Sequence, residues 1–378
     1  MPASVTARIA EGVASIPAAQ WDACSGDANP FASHAFLSAL VRSGPATAET
    51  GWQPLPIVIE DACGTPAAIV PAYAKSHSQG EYVFDHAWAD AWERAGGRYY
   101  PKLQAAVPFT PVPGPRLLLR DAALAPGLIA GLEAVTDQNR LSSAHVTFLD
   151  DGQLLLFEQA GWLIRAGTQF HWQNHGYTNF DDFLAALSSR KRKAIRKERE
   201  RALEGLTIRH LTGAQITEAH WDAFWTFYQD TGSRKWGQPY LTRPFFSMLG
   251  EAMGDKLLLM LAERDGRPIA GALNLIGGDA LYGRYWGCTE DVPFLHFELC
   301  YYQAIEAAIA RGLARVEAGA QGEHKLARGY VPVTTWSAHY LPDPNFRRAV
   351  AEYLERERTA VAHEQEFLEG LTPFRRSA

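Results

Sequence analysis

The chain has 378 residues, of which 47% are hydrophobic and 21% charged, enough apolar sequence for two packed domains without covalent staples. The formal net charge of −6 excludes a generally basic chain, so any nucleic-acid contact must come from a local patch. The four cysteines are scattered and form no CxxC pair, which argues against a zinc site and a disulfide framework. The sequence has no long apolar run, which argues against a signal peptide and a membrane span. Together these features predict a cytoplasmic protein.

The first half of the chain has the pattern of short strands and helices. A hairpin is predicted where two apolar strands, 55–60 and 67–73, flank the turn Asp61–Gly64. The stretch Val107–Arg116 carries four prolines, which exclude a helix or central strand and predict a rigid surface loop. The other predicted elements are helices over about 31–40, 122–139 and 152–160 and strands over 117–119, 144–149 and 163–171.

The second half contains the strongest helical pattern of the chain, Asp181–Glu204, with Asn179 or Asp181 as its cap and Gly205 at its end. A second helix over 220–230 carries aromatic residues at helical spacing, which predicts a core-facing stripe. The remaining predictions are a strand over 206–210, a three-strand meander over 257–263, 268–275 and 280–286, a helix over 297–311, strands over 314–318 and 333–340, and a terminal helix over 345–368.

A strand–turn–strand pattern at residues 57–72 returns about 200 residues later at 260–273. Each copy has an acidic-Gly turn followed by a strand of small residues. We interpret this as an internal duplication, although two unrelated hairpins can share such a pattern. The duplication predicts two domains, 1–175 and 176–378.

The helical segment 187–204 is strongly basic. Residues 190–201 hold eight cations and only two acids, Glu198 and Glu200. This density favours a polyanion such as a diphosphate, a sugar phosphate or an RNA backbone, because guanidinium forks match phosphate oxygens. An ordinary solvated helix is the alternative. The candidate phosphate or tRNA ligands are Arg192, Lys193, Arg196 and Arg199.

A polar loop, residues 317–330, follows the predicted strand that ends near residue 318. It opens with glycines and then places Glu323, His324 and Lys325 in succession. Such a loop can bring backbone N–H groups, a proton carrier and a fixed cation together. Acyl transfer needs this arrangement because its tetrahedral intermediate carries an oxyanion. A solvated polar turn is the alternative.

Three stretches carry a family resemblance. The helix that begins Leu187-Ser-Ser-Arg-Lys-Arg-Lys-Ala-Ile-Arg resembles the basic helix of the FemAB/FemX transferases, which use aminoacyl-tRNA to add amino acids to peptidoglycan precursors. The stretches Gly322-Glu-His-Lys-Leu-Ala-Arg-Gly-Tyr330 and Asp85-His-Ala-Trp88 resemble an uncharacterised GNAT-like branch linked to peptidoglycan biosynthesis or recognition. The resemblance implies an α/β (α+β) fold of two tandem GNAT-like domains, each a mixed, mostly antiparallel sheet flanked by helices.

The resemblance also implies roles for individual residues. Lys325 would stabilise the oxyanion, and Arg192 and Arg196 would contact phosphates of an acceptor or a tRNA. His324 stands where FemX proteins more often carry an aromatic residue, and either His324 or Glu323 could move the proton. For Asp85 and His86 a hydrogen-bonded pair in the first domain's core is an equal alternative to a binding role. The predicted acceptor pocket comprises Asp85, His86, Trp88, Tyr285 and Arg328.

The acyl donor is inferred from the place where GNAT enzymes bind the CoA pyrophosphate on backbone amides of a Gly-rich loop. Here that stretch, Gly287–His296, has one glycine, the acids Glu290 and Asp291, and Pro293, which lacks an N–H. We therefore expect aminoacyl-tRNA as cosubstrate, a primary amine of a small or peptidoglycan-precursor molecule as acceptor, and no tightly bound cofactor or metal. An acyl-CoA-dependent N-acyltransferase and a non-catalytic binding protein are the alternatives.

Overall fold

The computed structural model describes residues 6–235, 239–319 and 322–375, without the side chains of residues 233–235 and 323. The chain forms two compact units. Unit 1 consists of Met1–Gly167 and Thr334–His363, and unit 2 of Thr168–Val333 and Glu364–Ala378. Each unit is therefore assembled from two separate segments, whereas the division expected near residue 175 is linear and stays a prediction.

The described part of the chain contains both strands and helices, some of them in runs of one kind. The strands are β1 (Ala7–Ile9), β2 (Trp52–Pro54), β3 (Ile57–Glu60), β4 (Pro66–Val70), β5 (Ala72–Lys75), β6 (Lys102–Ala105), β7 (Leu118–Leu119), β8 (Ala144–Leu149), β9 (Leu163–Gln173), β10 (Thr207–Leu211), β11 (Leu257–Arg264), β12 (Arg267–Ile276), β13 (Ala280–Cys288), β14 (Arg315–Glu317) and β15 (Val331–Tyr340). The helices are α1 (Ala18–Ser25), α2 (His34–Arg42), α3 (His86–Arg94), α4 (Ala125–Gln138), α5 (Asp151–Gln159), α6 (Phe180–Ala186), α7 (Ser189–Ala202), α8 (Glu218–Lys235), α9 (Arg243–Met253), α10 (Leu295–Phe297), α11 (Gln303–Ala310) and α12 (Pro344–Gly370).

Unit 1 contains two groups of strands. The predicted hairpin forms as β3 and β4, which pair antiparallel and lie between β1 and β7. The second group runs β2, β5, β6, β8 and the last residues of β15, with β6 and β8 parallel and the other neighbours antiparallel. Helix α4 packs against strands of both groups, so one apolar core joins them.

The second strand group of unit 1 has one polar face. Residues opposite each other in register share a face. Lys75 lies opposite Lys102, and Gln104 lies opposite His145, which lies opposite His339. All five are buried. The other face, which packs against α4, is apolar, so the alternation of the strands places an unusual set of polar groups in the interior.

The proline-rich stretch Val107–Arg116 contains no helix or strand, as predicted, but its expected surface position is wrong. Most of it is buried, because Arg116 satisfies its backbone from inside. The Arg116 guanidinium donates to the carbonyls of Val112 at 2.7 Å, Gly114 at 3.1 Å and Thr147 at 2.9 Å. A buried loop is tolerated when its carbonyls find such donors.

Unit 2 is built on the predicted meander, β11, β12 and β13, extended by β10 on one side. On the other side β13 pairs in parallel with β14, and β14 pairs antiparallel with the end of β9. Helices cover both faces of this sheet. Helices α6, α7 and α11 pack on one face of the sheet, where alternate residues of β11, together with residues of β12, join them in one core. Helix α8 packs on the other face, against β12 and β13.

Helix α8 approaches the sheet closely at Gly287. A Cβ at Gly287 would lie 2.1 Å from the backbone oxygen of Phe227, so only glycine fits there. On the same face Gly271 lies against the Phe224 ring. The aromatic stripe predicted for this helix is confirmed at Trp221 and Phe224, which are fully buried.

The single helix expected over Asp181–Glu204 is wrong, because the segment forms two helices, α6 and α7. Asn179 caps α6 by accepting from the Asp182 N–H at 2.9 Å, as predicted. Leu187 then adopts an extended conformation and is fully buried. The Ser188 N–H donates to the Pro373 carbonyl at 3.0 Å. Burial of Leu187 and this contact with the C-terminal segment break a sequence that is locally helical throughout.

Candidate active site

The sheet of unit 2 opens where β13 and β14 separate. The two strands pair only over Ala280–Tyr282 and Arg315–Glu317. Strand β13 continues to Cys288, whereas β14 ends at Glu317. The separation leaves the second half of β13 without β14 beside it. Strand β13 has a β-bulge at Arg284, which is the extra residue between the pairs Leu273–Tyr285 and Asn274–Gly283. Bulges often lie next to functional sites, where they change the direction of a side chain.

A cavity of about 110 Å³ lies at this separation. Its wall combines β13 with the helical segment that follows it, in which Glu298–Tyr302 forms a single π-helical turn. Such turns are frequent at functional sites. The wall residues with reactive or hydrogen-bonding side chains include Asn274, Arg284, Tyr285, His296, Cys300 and Tyr301.

A larger cavity of about 380 Å³ adjoins the first, since Trp286 and His296 line both. Its wall is formed by the loop between β13 and α10 and carries the acids Glu290 and Asp291. Phe294 and Phe297 add aromatic surface. The stretch that would bind a CoA pyrophosphate therefore lines a pocket that is acidic and aromatic.

Lys325 lies in a 3₁₀ helix, Glu323–Arg328, and is 1% exposed. Its Nζ donates to the Gly319 carbonyl at 2.7 Å. Burial lowers the pKa of Lys325 to about 7, the Cys300 charge opposes this shift, and the Arg284 charge adds to it. Cys300 and Arg284 both line the 110 Å³ cavity, so Lys325 lies within electrostatic range of its wall. Near neutral pH this amine can exist in both protonation states.

The turn that carries Lys325 begins at Gly322, whose φ of +119° is unfavourable for other residues. A Cβ at Gly322 would lie 2.4 Å from the His324 ring. His324 is exposed, and its Nε2 lies 2.8 Å from the Tyr301 hydroxyl. Tyr301 lines the cavity, so His324 reaches it through this hydroxyl. The side chain of the third predicted catalytic residue, Glu323, lies outside the described residues.

Two predicted acceptor residues, Tyr285 and Arg328, belong to unit 2. Tyr285 lines the smaller cavity. The Arg328 side chain is 9% exposed, and its guanidinium donates to both carboxylate oxygens of Glu198 at 3.0 Å. It also lies 3.5 Å above the Phe297 ring, which lines the larger cavity. Arg328 therefore packs against a wall residue of the larger cavity, Phe297, without being a wall residue itself.

The predicted phosphate ligands of α7 fall into two groups. Lys193 and Arg196 are exposed, and Arg192 is partly exposed. Arg196 makes one exposed ion pair, at 2.9 Å to Asp181. Arg199 instead points into the unit. Its guanidinium donates to Glu298 at 2.9 Å and Glu306 at 2.8 Å and lies 4.4 Å from the Phe180 ring. These contacts occupy Arg199 and leave the other three cations to meet a polyanion.

Alanine substitutions of Arg199 and Arg196 test whether only Arg199 is paired inside the unit. Arg199→Ala leaves the fully buried Glu298 without its cation, and we expect the free energy of unfolding to fall by about 3 kcal/mol. Arg196→Ala removes an exposed pair and should change it by less than about 0.5 kcal/mol. Urea unfolding of both variants checks this, and equal stability would contradict the inward placement of Arg199.

The remaining predicted acceptor residues, Asp85, His86 and Trp88, lie in unit 1, and Asp85 and His86 point to different surroundings. Asp85 is 3% exposed and accepts from the Tyr99 hydroxyl at 2.7 Å and from Lys102. His86 is exposed and stacks on Phe84. The hydrogen-bonded Asp85–His86 pair, one of the two alternatives for these residues, does not form, because Asp85 is buried with other partners while His86 is exposed. Trp88 is buried against His339, with ring centroids 4.9 Å apart.

Asp85 belongs to a buried ionic cluster on the polar face of unit 1, together with Lys75, Glu81 and Lys102. Burial would raise the pKa of Asp85, but the Lys102 charge holds it well below its usual range. Burial raises the pKa of Glu81 to about 7, even though Lys102 opposes the shift. Burial would lower the pKa of Lys102, but Glu81 and Asp85 raise it above its usual value. These contacts support the alternative that Asp85 is a structural residue in the core of the first domain.

Sequence reasoning missed several residues around the cavities. His296 lines both cavities and Cys300 the smaller one, but neither stands in a recognisable motif. Glu317 is 4% exposed, accepts from Arg315 at 2.9 Å and immediately precedes Ala318 of the cavity wall. Burial raises the pKa of Glu317 to about 7. A signal was present, since Glu317 is the first residue of the polar loop 317–330.

The fold of each unit, an antiparallel strand set that continues into a parallel pair, is the GNAT-like arrangement, so the prediction of tandem GNAT-like domains is confirmed. A family profile described as peptidoglycan biosynthesis/recognition matches residues 12–376, and the chain belongs to this FemAB-like family. Membership places it among the acyl- and aminoacyltransferases. A search of curated protein sequences finds no match.

Solved structures agree with the fold. The chain is similar to FemX, with 11% identity, a TM-score of 0.54 and coverage of 89% of this chain and 98% of that one. It is similar to L-PGS from Bacillus licheniformis, with 10% identity, a TM-score of 0.52 and coverage of 87% and 98%. It is also similar to the C-terminal domain of a putative lysylphosphatidylglycerol synthetase from Agrobacterium fabrum, with 11% identity, a TM-score of 0.51 and coverage of 90% of this chain and 95% of that one. At these identities the likeness concerns the fold alone.

Within the described ranges, no helix is both long and apolar enough to cross a bilayer. Over the same ranges, no group of three or more His, Cys, Asp or Glu side chains is arranged to hold a metal ion.

Proposed function

We propose that the chain transfers an acyl group, namely the aminoacyl group of a charged tRNA, to a primary amine of a small or peptidoglycan-precursor acceptor. One observation carries the proposal. A buried lysine, Lys325, lies within electrostatic range of the cavity that opens where β13 and β14 separate. Membership of the FemAB-like family supports the class of reaction.

The proposed mechanism is direct attack of the amine on the ester carbonyl. The tetrahedral intermediate carries an oxyanion, which the protonated Nζ of Lys325 stabilises in a water-poor environment where such a charge interaction is strong. The attacking nitrogen loses a proton after the bond forms. Tyr301 lines the cavity and is hydrogen-bonded to His324, so this pair can take up that proton. When the intermediate collapses, the ester C–O bond breaks, and the proton passes to the ribose oxygen of the tRNA, which leaves as a hydroxyl group.

The choice of donor rests on charge. Glu290 and Asp291 line the larger cavity where a CoA pyrophosphate would lie, and like charges repel. The exposed cations of α7 offer the opposite sign to a nucleic-acid backbone. Arg192, Lys193 and Arg196 are the proposed phosphate contacts, and Arg199 is omitted because Glu298 and Glu306 occupy it.

Binding of the purified protein to charged tRNA and to acetyl-CoA, measured side by side over a salt series, tests the donor. We expect tRNA binding that weakens steeply with salt and no acetyl-CoA binding. The double variant Arg192→Ala/Arg196→Ala should bind tRNA more weakly. Its log–log salt slope should be shallower by about 2, because each of the two arginines neutralises one phosphate.

Arg209→Ala is the matched control, because Arg209 is also exposed and paired, at 3.0 Å to Glu263, but lies on β10. It should bind tRNA like the parent protein. Acetyl-CoA binding without tRNA binding would contradict the proposed donor and favour an N-acyltransferase. Binding of neither ligand would favour a non-catalytic binding protein.

A further inference from the structure

The two acids of the basic helix α7 have opposite surroundings. Glu200 is exposed. Glu198, two residues earlier, is turned inward and accepts from Arg328 through both oxygens, each at 3.0 Å. It also accepts from the Tyr302 hydroxyl. Both bonds from Arg328 come from its Nη2, and a carboxylate that receives this nitrogen and a hydroxyl holds both groups in one geometry.

Arg328 carries this contact to the turn with Lys325. Its guanidinium donates to the His324 carbonyl at 2.8 Å, and His324 directly precedes Lys325 in the same 3₁₀ helix. Its side chain is 9% exposed, so its charge depends on the Glu198 carboxylate for compensation. The same guanidinium lies 3.5 Å from the Phe297 ring in the wall of the larger cavity.

The 3₁₀ helix is short, and besides the bond from the Lys325 Nζ to the Gly319 carbonyl at 2.7 Å, backbone bonds hold this residue. The Lys325 N–H donates to the Gly322 carbonyl at 3.0 Å, and its carbonyl accepts from the Tyr330 N–H at 3.3 Å. Short 3₁₀ segments have poor hydrogen-bond geometry and rely on their surroundings. The bond from Arg328 to the His324 carbonyl, and through it the Glu198 carboxylate, joins this turn to the longer helix α7.

We propose that Glu198 is a positioning residue for Lys325, acting through the Arg328 guanidinium. The catalytic role of Lys325 in this inference rests on the proposed function, but the positioning itself does not. Two sets of side chains on helix α7 then have different roles. Its exposed cations face solvent, and its single inward acid holds the turn that carries the buried amine.

Brief labelling of the intact protein with acetic anhydride, over a pH series and with mass-spectrometric detection of the Lys325 peptide, tests the proposal. In the parent protein a buried amine should react slowly. In Glu198→Gln, which keeps the size and loses the charge, we expect the titration midpoint of Lys325 to move towards that of an ordinary lysine. The labelling rate of the deprotonated amine, measured on the alkaline plateau of the pH series, should rise about tenfold because the amine becomes accessible.

Glu200→Gln is the matched control and should label like the parent protein. Arg328→Lys keeps the charge but loses one of the two nitrogens that donate to Glu198 and to the His324 carbonyl, and should give an intermediate rate. The charge swap Glu198→Arg/Arg328→Glu should slow the labelling again relative to Glu198→Gln. Equal labelling of Lys325 in Glu198→Gln and Glu200→Gln would overturn the proposal. If Glu198→Gln does not fold, Arg328→Lys decides in its place, and parent-like labelling of that variant overturns it equally.

Activity provides a separate readout. If the protein transfers acyl groups, Glu198→Gln should lower kcat about tenfold or more while the KM for the amine stays unchanged, because the amine site itself is intact. The labelling experiment needs no substrate. Absence of transfer by the parent protein would therefore remove the proposed function and leave the positioning test valid, whereas equal labelling would remove only the positioning.

Discussion

Lys325→Ala is expected to lower kcat/KM for acyl transfer by about 10²- to 10³-fold, the effect of removing one oxyanion-stabilising donor. The affinity for tRNA should not change, because Lys325 is buried and separate from the exposed cations of α7. Single-turnover transfer from charged tRNA measures the chemical step directly. Lys256→Ala, a lysine of the same unit that lines neither cavity, is the control and should keep parent activity.

The pH dependence gives a second measurement on Lys325. Burial lowers its pKa to about 7, so the cation that stabilises the oxyanion is present below pH 7 and is lost as the pH rises through that value. Arginine remains protonated at these pH values. Lys325→Arg should therefore lose the alkaline decline attributable to this group, whatever its absolute rate. Identical profiles for the two proteins would show that Lys325 does not supply the catalytic charge.

Stability should change with pH in the opposite sense. The unfolded chain protonates Lys325 up to the usual lysine pKa, whereas the folded chain releases the proton near pH 7. Between these values the unfolded state binds more protons, so the contribution of this group to stability rises with pH. Lys325→Ala should lack that rise in urea-unfolding experiments between about pH 7 and 10.

Elements specified by local sequence could be predicted well. The hairpin of β3 and β4 and the meander of β11–β13 follow from apolar runs separated by turn residues, and the structure has both. The division between α6 and α7 could not be predicted, because nothing between Ala186 and Ser189 is a helix breaker. The break results from burial of Leu187 and from contact with Pro373, which is far away in sequence.

The candidate site shows the same limit. The motif around Lys325 drew attention to the residue, but its burial and the adjacent cavity depend on the separation of β13 and β14, which is a tertiary feature. Helical spacing grouped Arg199 with Arg196, yet only Arg199 meets Glu298 and Glu306, acids that lie about 100 residues later. Periodicity identifies the faces of a helix, and long-range partners decide which face is buried.

Lys102→Met is expected to lower the free energy of unfolding by about 3–5 kcal/mol, the cost of leaving buried charges without their partner. Lys102 is fully buried and donates to Ser78 at 2.8 Å, to Glu81 at 2.7 Å and to Asp85. Urea unfolding checks the value. Arg8→Ala, which removes the exposed Arg8–Glu60 pair, is the control and should cost less than about 1 kcal/mol.

The destabilisation caused by Lys102→Met should depend on pH in a defined direction. Lys102 holds the pKa of Asp85 well below its usual range, so this carboxylate contributes stability above its usual pKa and loses it as the pH falls. Without Lys102 that contribution is absent at neutral pH. The difference between the two proteins should therefore shrink as the pH falls below the usual aspartate pKa, because the unfolded chain then takes up a proton at Asp85 that the folded parent does not. A constant difference would contradict the ionic origin of the effect.

The same cluster decides the role of Asp85. If Asp85 serves the core, Asp85→Asn lowers stability, because its carboxylate no longer balances Lys102, and leaves the KM for the amine unchanged. If Asp85 serves the acceptor pocket, the same change raises the KM. Its burial, its bond from Tyr99 and its contact with Lys102 lead us to expect the first result. His86 is exposed one residue later, so His86→Ala, with parent stability expected, separates a binding role for this segment from a purely structural one.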